Sequence, residues 1–473
     1  MAATTPITAR AAGQPPAATT RLGLAQYFGY ASGDAANNLA FSMSSLFLLL
    51  YYTDVAGISA AAVGTMFLVV RFWDALTDLF AGRLVDKAQT RWGKFRPFIL
   101  FGALPLLLMS VAVFSIPTGL HGHAGALVWA YITYAALGLL YSLVNIPYGS
   151  LAAAMTQVPT ERARLATWRV YGSNLTILML AFVVAPQIKG SDDLQRSLTI
   201  TTGAFVVAGA VLYLITFRTA REQVQRDVPS VSLRQSFSTL RTNRPLIMLC
   251  VSSLMFLTGM IAVSTVGAFY ARDVLGDATY FIYITLVQTV GTFLVAAFIP
   301  QIVRTLGKKT GYLALGLVAV VAGVGIALAP SSTPAVALVF FFLLGIGVGG
   351  VNTLMWALEA DTVEYGEWKT GVRTEGTTYA LFSFTRKMGQ ALGGAAAAYT
   401  IGLGGYIAGK GVVQTDSAKT AIKVATGFVP AAFIVVALAI IFFYPLTEKV
   451  FRDIVAEVAA RRAARVGESE SDV

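Results

Sequence analysis

Long apolar stretches follow one another along most of the chain, and short polar segments separate them. Each stretch is about 20 residues or longer, which is the length that an α-helix needs to cross a bilayer. The pattern predicts an all-α membrane protein with twelve transmembrane helices. They lie near residues 24–52, 58–82, 97–117, 126–155, 165–188, 198–217, 245–271, 279–303, 311–329, 335–360, 375–404 and 421–445.

One long polar segment, 218–244, separates six predicted spans from six. The sequence after the second span, "GRLVDKAQTRWGKFRPFILFG", is echoed after the eighth by "PQIVRTLGKKTGYLALG". Both contain a basic turn with Gly-Lys, and internal repeats of this kind are typical of transporters built from two related halves. We therefore expect two pseudo-symmetric six-helix bundles, 23–217 and 245–445. The other segments are a disordered tail 1–22, a loop 218–244 and a tail 446–473 that begins as a short amphipathic helix.

Composition and charge narrow the class of protein. The chain is 56% hydrophobic and 12% charged, and that charged fraction is about half of the value usual in soluble domains. The net charge of +11 comes from Lys and Arg clustered in alternate loops. The positive-inside rule explains it better than nucleic-acid binding does, and it predicts that both termini are cytoplasmic. Cys250 is the single cysteine and allows no disulfide, and His121 and His123 lack a third ligand for a metal site.

The stretch "RFWDALTD", residues 71–78, places charge inside the second predicted span. Asp74 and Asp78 are four residues apart, so both project from one face of a helix, with Arg71 and Thr77 beside them. Two close carboxylates at low dielectric cannot both remain charged and unpaired. They must hold a proton, bind a cation or pair with a base. A structural salt bridge of Asp74 with Arg71 is the alternative to a functional site.

Amide side chains form a second polar group inside the spans. Asn37 and Asn38 lie with Asp34 in the first predicted span, and Asn145 lies with Ser142 in the fourth. Amides can hydrogen-bond the hydroxyl groups of a sugar, but they also join transmembrane helices to one another. Several amides that converge on one cavity would favour ligand binding.

Basic residues form a third group. Arg386 and Lys387 lie about three turns into the eleventh predicted span, and Arg169 lies near the start of the fifth. Cations that face a cavity suit an anionic ligand. The alternative is that they pair with Asp74 or Asp78.

Charged residues are dense between the tenth and eleventh predicted spans, in "DTVEYGEWKTGVRTEG". Opposite charges in this connection and in the basic loop after the second span can form a latch between the two bundles that breaks on opening. A solvated loop is the alternative, because exposed ion pairs contribute little to stability. The candidate gating residues are Arg91, Asp361, Glu364, Glu367 and Arg373.

Five motifs, "YYTDVAGIS", "RFWDALTD", "RWGKFRPFILFG", "NIPYGSL" and "ADTVEYGEWKTGVR", resemble the signatures of the glycoside–pentoside–hexuronide:cation symporter family. The resemblance covers residues from roughly 24 to 450. It implies a major facilitator fold, alternating access, and entry of a sugar together with H⁺, Na⁺ or Li⁺ across a bacterial cytoplasmic membrane. Within the family, "GDAANNLAFSM" and "SLVNIPYGSLAAAMTQ" are most similar to the members that carry glucuronides.

The resemblance implies that Asp74 and Asp78 form the site of the co-transported cation, which Thr77 and Ser142 complete. The members that carry melibiose have asparagine at the Thr77 position and threonine at the Ser142 position, so the oxygen ligands differ here. A proton needs only a carboxylate, and we therefore expect coupling to H⁺ rather than to Na⁺.

The same members have aspartates at the positions of Asn38 and Asn145. A uronide brings its own carboxylate, which two buried aspartates would repel, whereas amides keep the hydrogen bonds to the sugar without that repulsion. Arg169 and Lys387 match basic positions of the family, and Arg386 adds charge where the melibiose-carrying members are apolar. We also predict substrate-binding roles for Asn352, Trp356 and Ser383.

The predicted function is proton-coupled import of glucuronides, with no cofactor or metal and no nucleic-acid partner. A symporter of a neutral xyloside or galactoside, with Na⁺ as a possible ion, is the alternative within the same fold. An intramembrane enzyme that uses Asp74 and Asp78 as acid and base is disfavoured. Aspartyl membrane proteases place their two aspartates on separate helices, and no nucleophile or metal cluster accompanies these two. A passive channel or a lipid flippase is a further alternative.

Overall fold

A computed structural model describes residues 22–88, 90–156, 159–222, 242–371, 375–409 and 412–471. Within these residues the chain is helical, and the only β-type pairing is an isolated bridge between Thr90 and Gly93. The first six helices are α1 Leu24–Leu50, α2 Ala60–Lys87, α3 Arg96–Val113, α4 Ala124–Met155, α5 Pro159–Gly190 and α6 Leu194–Thr219. The others are α7 Arg244–Phe269, α8 and α9 within Tyr280–Leu328, α10 Pro334–Thr370, α11 Glu375–Leu403, α12 Asp416–Phe442 and α13 Glu448–Ser471.

The segment Tyr280–Leu328 is two spans rather than one. It contains 49 residues, and a single helix of that length would measure about 74 Å, more than twice the ~30 Å of a hydrocarbon core. Gly307 interrupts it with φ 77° and ψ 165°, a backbone conformation that glycine adopts readily. The break separates α8 (280–306) from α9 (308–328), so α1 to α12 make the predicted twelve spans and the predicted fold class is confirmed.

Several helices extend beyond the predicted spans. The prediction ended the tenth span near residue 360, but α10 continues to Thr370 and stops at Gly371, which takes the left-handed conformation (φ 72°) that commonly ends a helix. Hydropathy marks where a helix leaves the apolar layer, not where its hydrogen bonds end. α13 likewise occupies most of the C-terminal tail. The predicted disordered tail up to residue 21, residues 223–241 of the loop and Arg373 lie outside the described residues.

The two basic turns that echo each other in sequence share an acidic cap and a glycine with positive φ. Between α2 and α3, the carboxylate of Glu222, just after α6, accepts hydrogen bonds from the backbone N–H groups of residues 94, 95 and 96, at 2.8, 2.8 and 3.1 Å. Between α8 and α9, Glu448, just after α12, accepts one from the backbone N–H of Lys308 at 3.0 Å. Each turn contains a glycine with positive φ, Gly93 or Gly307. The two six-helix bundles therefore repeat both the order of helices and an acidic cap.

The spans differ in polarity in a way that points to the site. Among the described residues, nine helical segments are long and apolar enough to cross a membrane by composition alone, with α8 and α9 counted as one. The two spans that do not qualify are α1 and α11. These helices carry Asp34, Asn37 and Asn38, and Arg386 and Lys387. Polar groups inside a bundle are costly unless they pair or face a cavity, so α1 and α11 are the helices most in need of a functional explanation.

The two bundles meet along an antiparallel seam between α2 and α11. Gly402 lies beside Ala61 at one end, Gly64 lies against Ala398, and Phe67 lies against Gly394. Small residues let the helix backbones approach closely. We call the end of the molecule that holds the two acid-capped turns and α13 the basic side, and the other end the opposite side. The seam begins at the opposite side and runs toward the middle of the molecule.

The acid caps give a test of this fold. We expect Glu222→Gln to lower the free energy of unfolding by about 1–2 kcal/mol, because three N–H groups at the start of α3 lose their charged acceptor. Glu448→Gln, which affects one described N–H group, should have the smaller effect. The measurement is the thermal unfolding midpoint in detergent. Equal midpoints for Glu222→Gln and the unaltered protein would contradict the capping role.

Candidate functional site

Asp74 and Asp78 lie on the face of α2 that packs against α4. Asp74 pairs with Arg71 one turn earlier, with 3.1 Å between Asp74 Oδ2 and Arg71 Nη1. Its other oxygen, Oδ1, is buried against Gly138 of α4, where a side chain would fill the space it occupies. Among the described residues this oxygen has no hydrogen-bond partner. The structural salt bridge considered for Asp74 therefore exists, but it leaves one buried acceptor unused, and an unused acceptor can take a proton.

Asp78 joins three helices. Its Oδ1 accepts a hydrogen bond of 2.6 Å from the hydroxyl of Ser142 on α4. Its Oδ2 forms an ion pair with the ammonium group of Lys387 on α11, in the other bundle. This pair continues the α2–α11 seam by about three turns beyond Phe67 on α2 and about two turns beyond Gly394 on α11. Asp78 is thus a point where the charge state of one side chain affects the contact between the two bundles.

Thr77 is not brought to the carboxylates. Its hydroxyl donates a hydrogen bond of 2.9 Å to the backbone carbonyl of Asp74, and within the described residues it makes none to either carboxylate. The prediction that Thr77 completes the cation site does not hold in this conformation, because a buried threonine on a helix satisfies its hydroxyl on the preceding turn. The remaining groups, two acids with Arg71 and Lys387, sum to zero formal charge.

A ladder of polar side chains runs along one face of α1. Ser42 donates to Asn38 Oδ1 at 2.7 Å, and Asn38 Nδ2 donates to Asp34 Oδ2 at 3.2 Å and to the Asp34 carbonyl at 2.8 Å. The positions are four residues apart, so they stack on successive turns. Arg169 Nε of α5 donates to Asp34 Oδ1 at 2.7 Å. The ladder therefore connects an ion pair between α1 and α5 to the predicted sugar-binding amide.

The ladder changes the interpretation of Asn38. We expected an amide there because it would not repel a uronide. The structure gives a second reason for an amide at this position. A carboxylate at position 38 would lie about one hydrogen-bond length from the carboxylate of Asp34, and the two would repel each other strongly. Asn145, the other predicted amide, lies on α4 with Oδ1 buried and without a hydrogen-bond partner among the described residues. It is a free acceptor of the kind that a sugar hydroxyl can satisfy.

Arg386 of α11 lies among neutral groups. Its Nη2 donates to Asn352 Oδ1 on α10 at 2.8 Å, and its Nη1 lies 3.6 Å from the sulfur of Met355. The guanidinium carbon is 4.9 Å from the ring centroid of Trp356 and 5.6 Å from that of Phe382. The structure thus brings together three of the predicted substrate residues. Ser383 lies one turn before Arg386 and is half-buried.

The three predicted cations have different surroundings. Lys387 pairs with Asp78 and Arg169 pairs with Asp34, so neither is a free positive charge in this conformation. Lys387 therefore follows the alternative, in which a cation pairs with Asp74 or Asp78. Arg169 is neutralised by an aspartate outside that pair, Asp34. Within the described residues, Arg386 has no carboxylate within ion-pair distance. Among the described residues, Arg386 is thus the one of the three cations that has no carboxylate partner.

Among the described residues, two of the candidate gating residues, Asp361 and Arg91, have partners within their own bundles in this conformation. Asp361 pairs with Lys308 of its own bundle, with both carboxylate oxygens 2.7 Å from the ammonium nitrogen. Arg91 lies over the ring of its neighbour Trp92 at 4.5 Å. Glu364 and Glu367 are half-buried near the end of α10, and Arg373 falls outside the described residues. The predicted latch partner Asp361 therefore stabilises the α8–α9 turn against α10 instead.

The sequence analysis missed a network that joins the bundles at the opposite side. Arg272 donates to Asp54 Oδ2 at 2.5 Å and to the hydroxyl of Tyr406 at 2.6 Å, and the Tyr406 hydroxyl also lies 2.8 Å from Asp54 Oδ1. Asp54 and Arg272 sit in matching π-helical turns after α1 and α7, "YYTDV" and "YARDV". That repeat was visible in the sequence and marks both ends of the network.

A second ion pair joins the bundles at the same side. Lys189, at the end of α5, pairs with Asp277 in the turn before α8. Burial raises the pKa of Asp277, but hydrogen bonds from Lys189 and Thr279 outweigh it and lower the pKa to about 2. A lowered pKa means that the pair contributes above the ordinary carboxylate range and weakens only as the pH falls toward 2. This contact should therefore not respond to pH near neutrality.

The fold and the polar interior are those of a secondary transporter, and comparison with known proteins agrees. Residues 29–448 match the family described as MFS/sugar transport protein. The chain belongs to this family of multi-pass membrane transporters, and it is a sugar symporter rather than an enzyme.

Three known proteins illustrate the similarity. The chain is 50% identical to the Glucuronide carrier protein homolog of Escherichia coli (strain K12), across 92% of this chain and 95% of that protein. It is 33% identical to the Isoprimeverose transporter of Lactiplantibacillus pentosus, across 88% of each. A solved bacterial homologue of the human lysosomal transporter Spinster has a TM-score of 0.65 at 13% identity, across 91% of this chain and 97% of that chain. The last comparison supports the fold alone.

The seam can be tested by a disulfide. A Cβ built on Gly64 would lie 3.2 Å from Ala398 Cβ, close to the separation of a disulfide. We expect Gly64→Cys with Ala398→Cys to form one on oxidation and to block transport, because the opposite side can no longer open. A reductant should restore transport. Each single cysteine variant is the control, and a fully crosslinked protein that transports at the uncrosslinked rate would contradict the seam as a moving contact.

Proposed function

We propose that the protein imports glucuronides into a bacterial cell together with protons, by exposing one central site alternately to the two sides of the membrane. The observation that carries this proposal is Arg386, a half-buried cation with neutral partners only among the described residues. An uncompensated cation inside a membrane bundle is costly. An anionic cargo that pairs with it would remove that cost on binding.

The surroundings of Arg386 suit a sugar acid. Trp356 stacks on Tyr379 with 5.6 Å between ring centroids, and it holds the guanidinium on its face. Flat aromatic faces beside a charge-bearing donor fit a pyranose ring with a carboxylate. The name of the 50% identical relative, a glucuronide carrier homologue, supports the same cargo.

Coupling to the proton can be derived from the Asp78–Lys387 pair. When Asp78 takes a proton, the half-buried ammonium of Lys387 loses its partner, and an unpaired charge inside a membrane bundle is costly. An anionic cargo that binds near α11 relieves that penalty. By linkage, the cargo must then favour protonation of Asp78 by the same factor. Proton and anion bind together, and α2 and α11 are freed to separate.

A proton fits the geometry better than an alkali cation. Hard metal cations require several oxygen ligands, whereas Asp78 Oδ2 is paired with Lys387 and the Thr77 hydroxyl is bonded to backbone. Asp74 Oδ1 is a single unused acceptor. A single oxygen is sufficient for a proton.

A neutral glycoside is the second candidate cargo, and two observations favour it. Asp34 neutralises Arg169 and Asp78 neutralises Lys387, so the site is less positive than the sequence predicted. A 33% identical relative is named for transport of isoprimeverose, a sugar without a carboxylate. Arg386 is the group that separates the two candidates.

The orientation follows from charge. Lys94, Arg96, Lys308, Lys309 and Arg452 all lie at the basic side. By the positive-inside rule this side faces the cytoplasm, so both termini are cytoplasmic. The Asp54–Arg272–Tyr406 network then joins the two bundles at the periplasmic side.

Coupling is tested by removing one carboxylate at a time. We expect Asp78→Asn and Asp74→Asn each to abolish accumulation of labelled glucuronide against its gradient in vesicles, because each removes one of the two carboxylates that together take up the coupling proton. Exchange of internal for external glucuronide should persist, since the sugar site is retained. Accumulation by both variants under an imposed pH gradient would contradict the coupling site. Accumulation driven by a Na⁺ gradient alone in the unaltered protein would identify Na⁺ as the ion.

Cargo is tested at Arg386. A charge-assisted hydrogen bond of ~1.5–3 kcal/mol corresponds to roughly ten- to hundredfold in affinity. The unaltered protein should bind the glucuronide of an aryl alcohol tighter than the glucoside of the same alcohol by about that factor. Arg386→Gln should remove the difference, and Arg386→Lys, the matched control, should keep part of it. Equal inhibition by both glycosides in the unaltered protein would favour a neutral cargo.

A further inference from the structure

Asp34 is a buried carboxylate that the proposed mechanism does not use. It is 5% exposed, and both of its oxygens accept hydrogen bonds, Oδ1 from Arg169 and Oδ2 from Asn38. An ionisable group inside a membrane bundle is costly, so it is usually paired or has a functional role. Its two neighbours are both predicted substrate-binding residues.

The ion pair with Asp34 uses only one of the hydrogen-bond donors of Arg169. The guanidinium uses Nε on Asp34 and, within the described residues, makes no hydrogen bond through Nη1 or Nη2. Its side chain is 38% exposed. The ring of Tyr148 lies under it at 5.3 Å, and that ring is held by stacking on Tyr30 at 4.8 Å. The carboxylate at one edge and the ring below thus fix the plane of the guanidinium and leave its outer edge accessible.

Asp34 also sets the orientation of the Asn38 amide. The Nδ2 group donates to the Asp34 carboxylate and carbonyl, and the Oδ1 atom accepts from Ser42. Both amide hydrogens are therefore in use. What Asn38 can still offer is one lone pair on Oδ1. Arg169 thus supplies donors and Asn38 an acceptor, and the neighbouring ion pair carries no net charge.

The helix contact does not need this ion pair. Gly172 of α5 already lies against the backbone of Ala31, and Trp168 stacks on Tyr27 with 6.3 Å between ring centroids. These contacts join α1 and α5 about one and two turns before Asp34 along α1. A purely structural role would therefore duplicate an existing interface.

We infer that Asp34 is a positioning residue for sugar recognition. It orients Arg169 and Asn38 as a neutral donor–acceptor pair for the hydroxyl groups of the cargo, while Arg386 in the other bundle binds the carboxylate. The division between hydroxyl and carboxylate recognition rests on the proposed glucuronide cargo. The positioning of Arg169 and Asn38 by Asp34 does not.

The test is a competition assay with the glucuronide and the glucoside of one aryl alcohol. We expect Asp34→Asn to weaken binding of both glycosides by the same factor, about tenfold, and to leave their ratio unchanged. Arg386→Gln should change the ratio instead. The double variant Asp34→Asn with Asn38→Asp exchanges the acid and the amide of the ladder, so that the carboxylate moves by one turn and the charge of this part of the site is kept. It should recover most of the lost affinity for both glycosides. Thermal unfolding midpoints of all variants identify any that do not fold.

The results of the competition assay distinguish the positioning role of Asp34 from the glucuronide proposal. Unchanged binding of both glycosides by Asp34→Asn, or a change confined to the glucuronide, would overturn the positioning role. No recovery in a double variant that unfolds at the temperature of the unaltered protein would also overturn it. If the unaltered protein binds both glycosides equally but Asp34→Asn weakens both, the glucuronide proposal fails and the positioning role stands. If Asp34→Asn leaves the binding of both glycosides unchanged and Arg386→Gln changes the ratio of their affinities, the positioning role fails and the glucuronide proposal stands.

Discussion

The ion pair between Asp78 and Lys387 is the interaction through which one proton can act on the contact between the two bundles. It lies on the seam of small residues where α2 and α11 run antiparallel, and it connects a carboxylate of one bundle to an ammonium of the other. Neutralising either group leaves the other half-buried and without this partner, so a proton at this position changes both the charge of the interior and the contact between bundles. Coupling of ion and cargo requires a link of this kind.

Charge pairing explains most of the polar interior in the same way. Asp74 with Arg71, Asp34 with Arg169 and Asp54 with Arg272 each place an acid beside a base, which is how a membrane bundle tolerates ionised groups. Arg386 departs from this pattern, since aromatic faces and an amide surround it among the described residues. A site for a charged cargo needs such a departure. A group that is already satisfied gains little from a ligand.

The comparison of prediction and structure is clearest at single residues. Asp74 and Asp78 could be found from sequence because two carboxylates four residues apart in an apolar stretch share a helix face whatever the fold. Asp34 was noticed but given no role, since its partner Arg169 lies 135 residues away. The Arg272 network was missed because hydropathy does not show which helix ends meet, although the repeated "YYTDV" and "YARDV" turns marked both of them. The hydroxyl of Thr77 donates to its own helix in this conformation, which the sequence pattern did not indicate.

The amino-acid sequence by itself determined the twelve spans, the division into two repeated halves and the identity of the ionisable groups inside them. These properties follow from local periodicity and from the cost of polar groups in hydrocarbon, which act along the chain. Only the tertiary structure decided which acid meets which base. An ion pair depends on distances of a few ångströms between helices that may be far apart in sequence, and the same charges arranged differently would leave Lys387 or Arg169 free in place of Arg386.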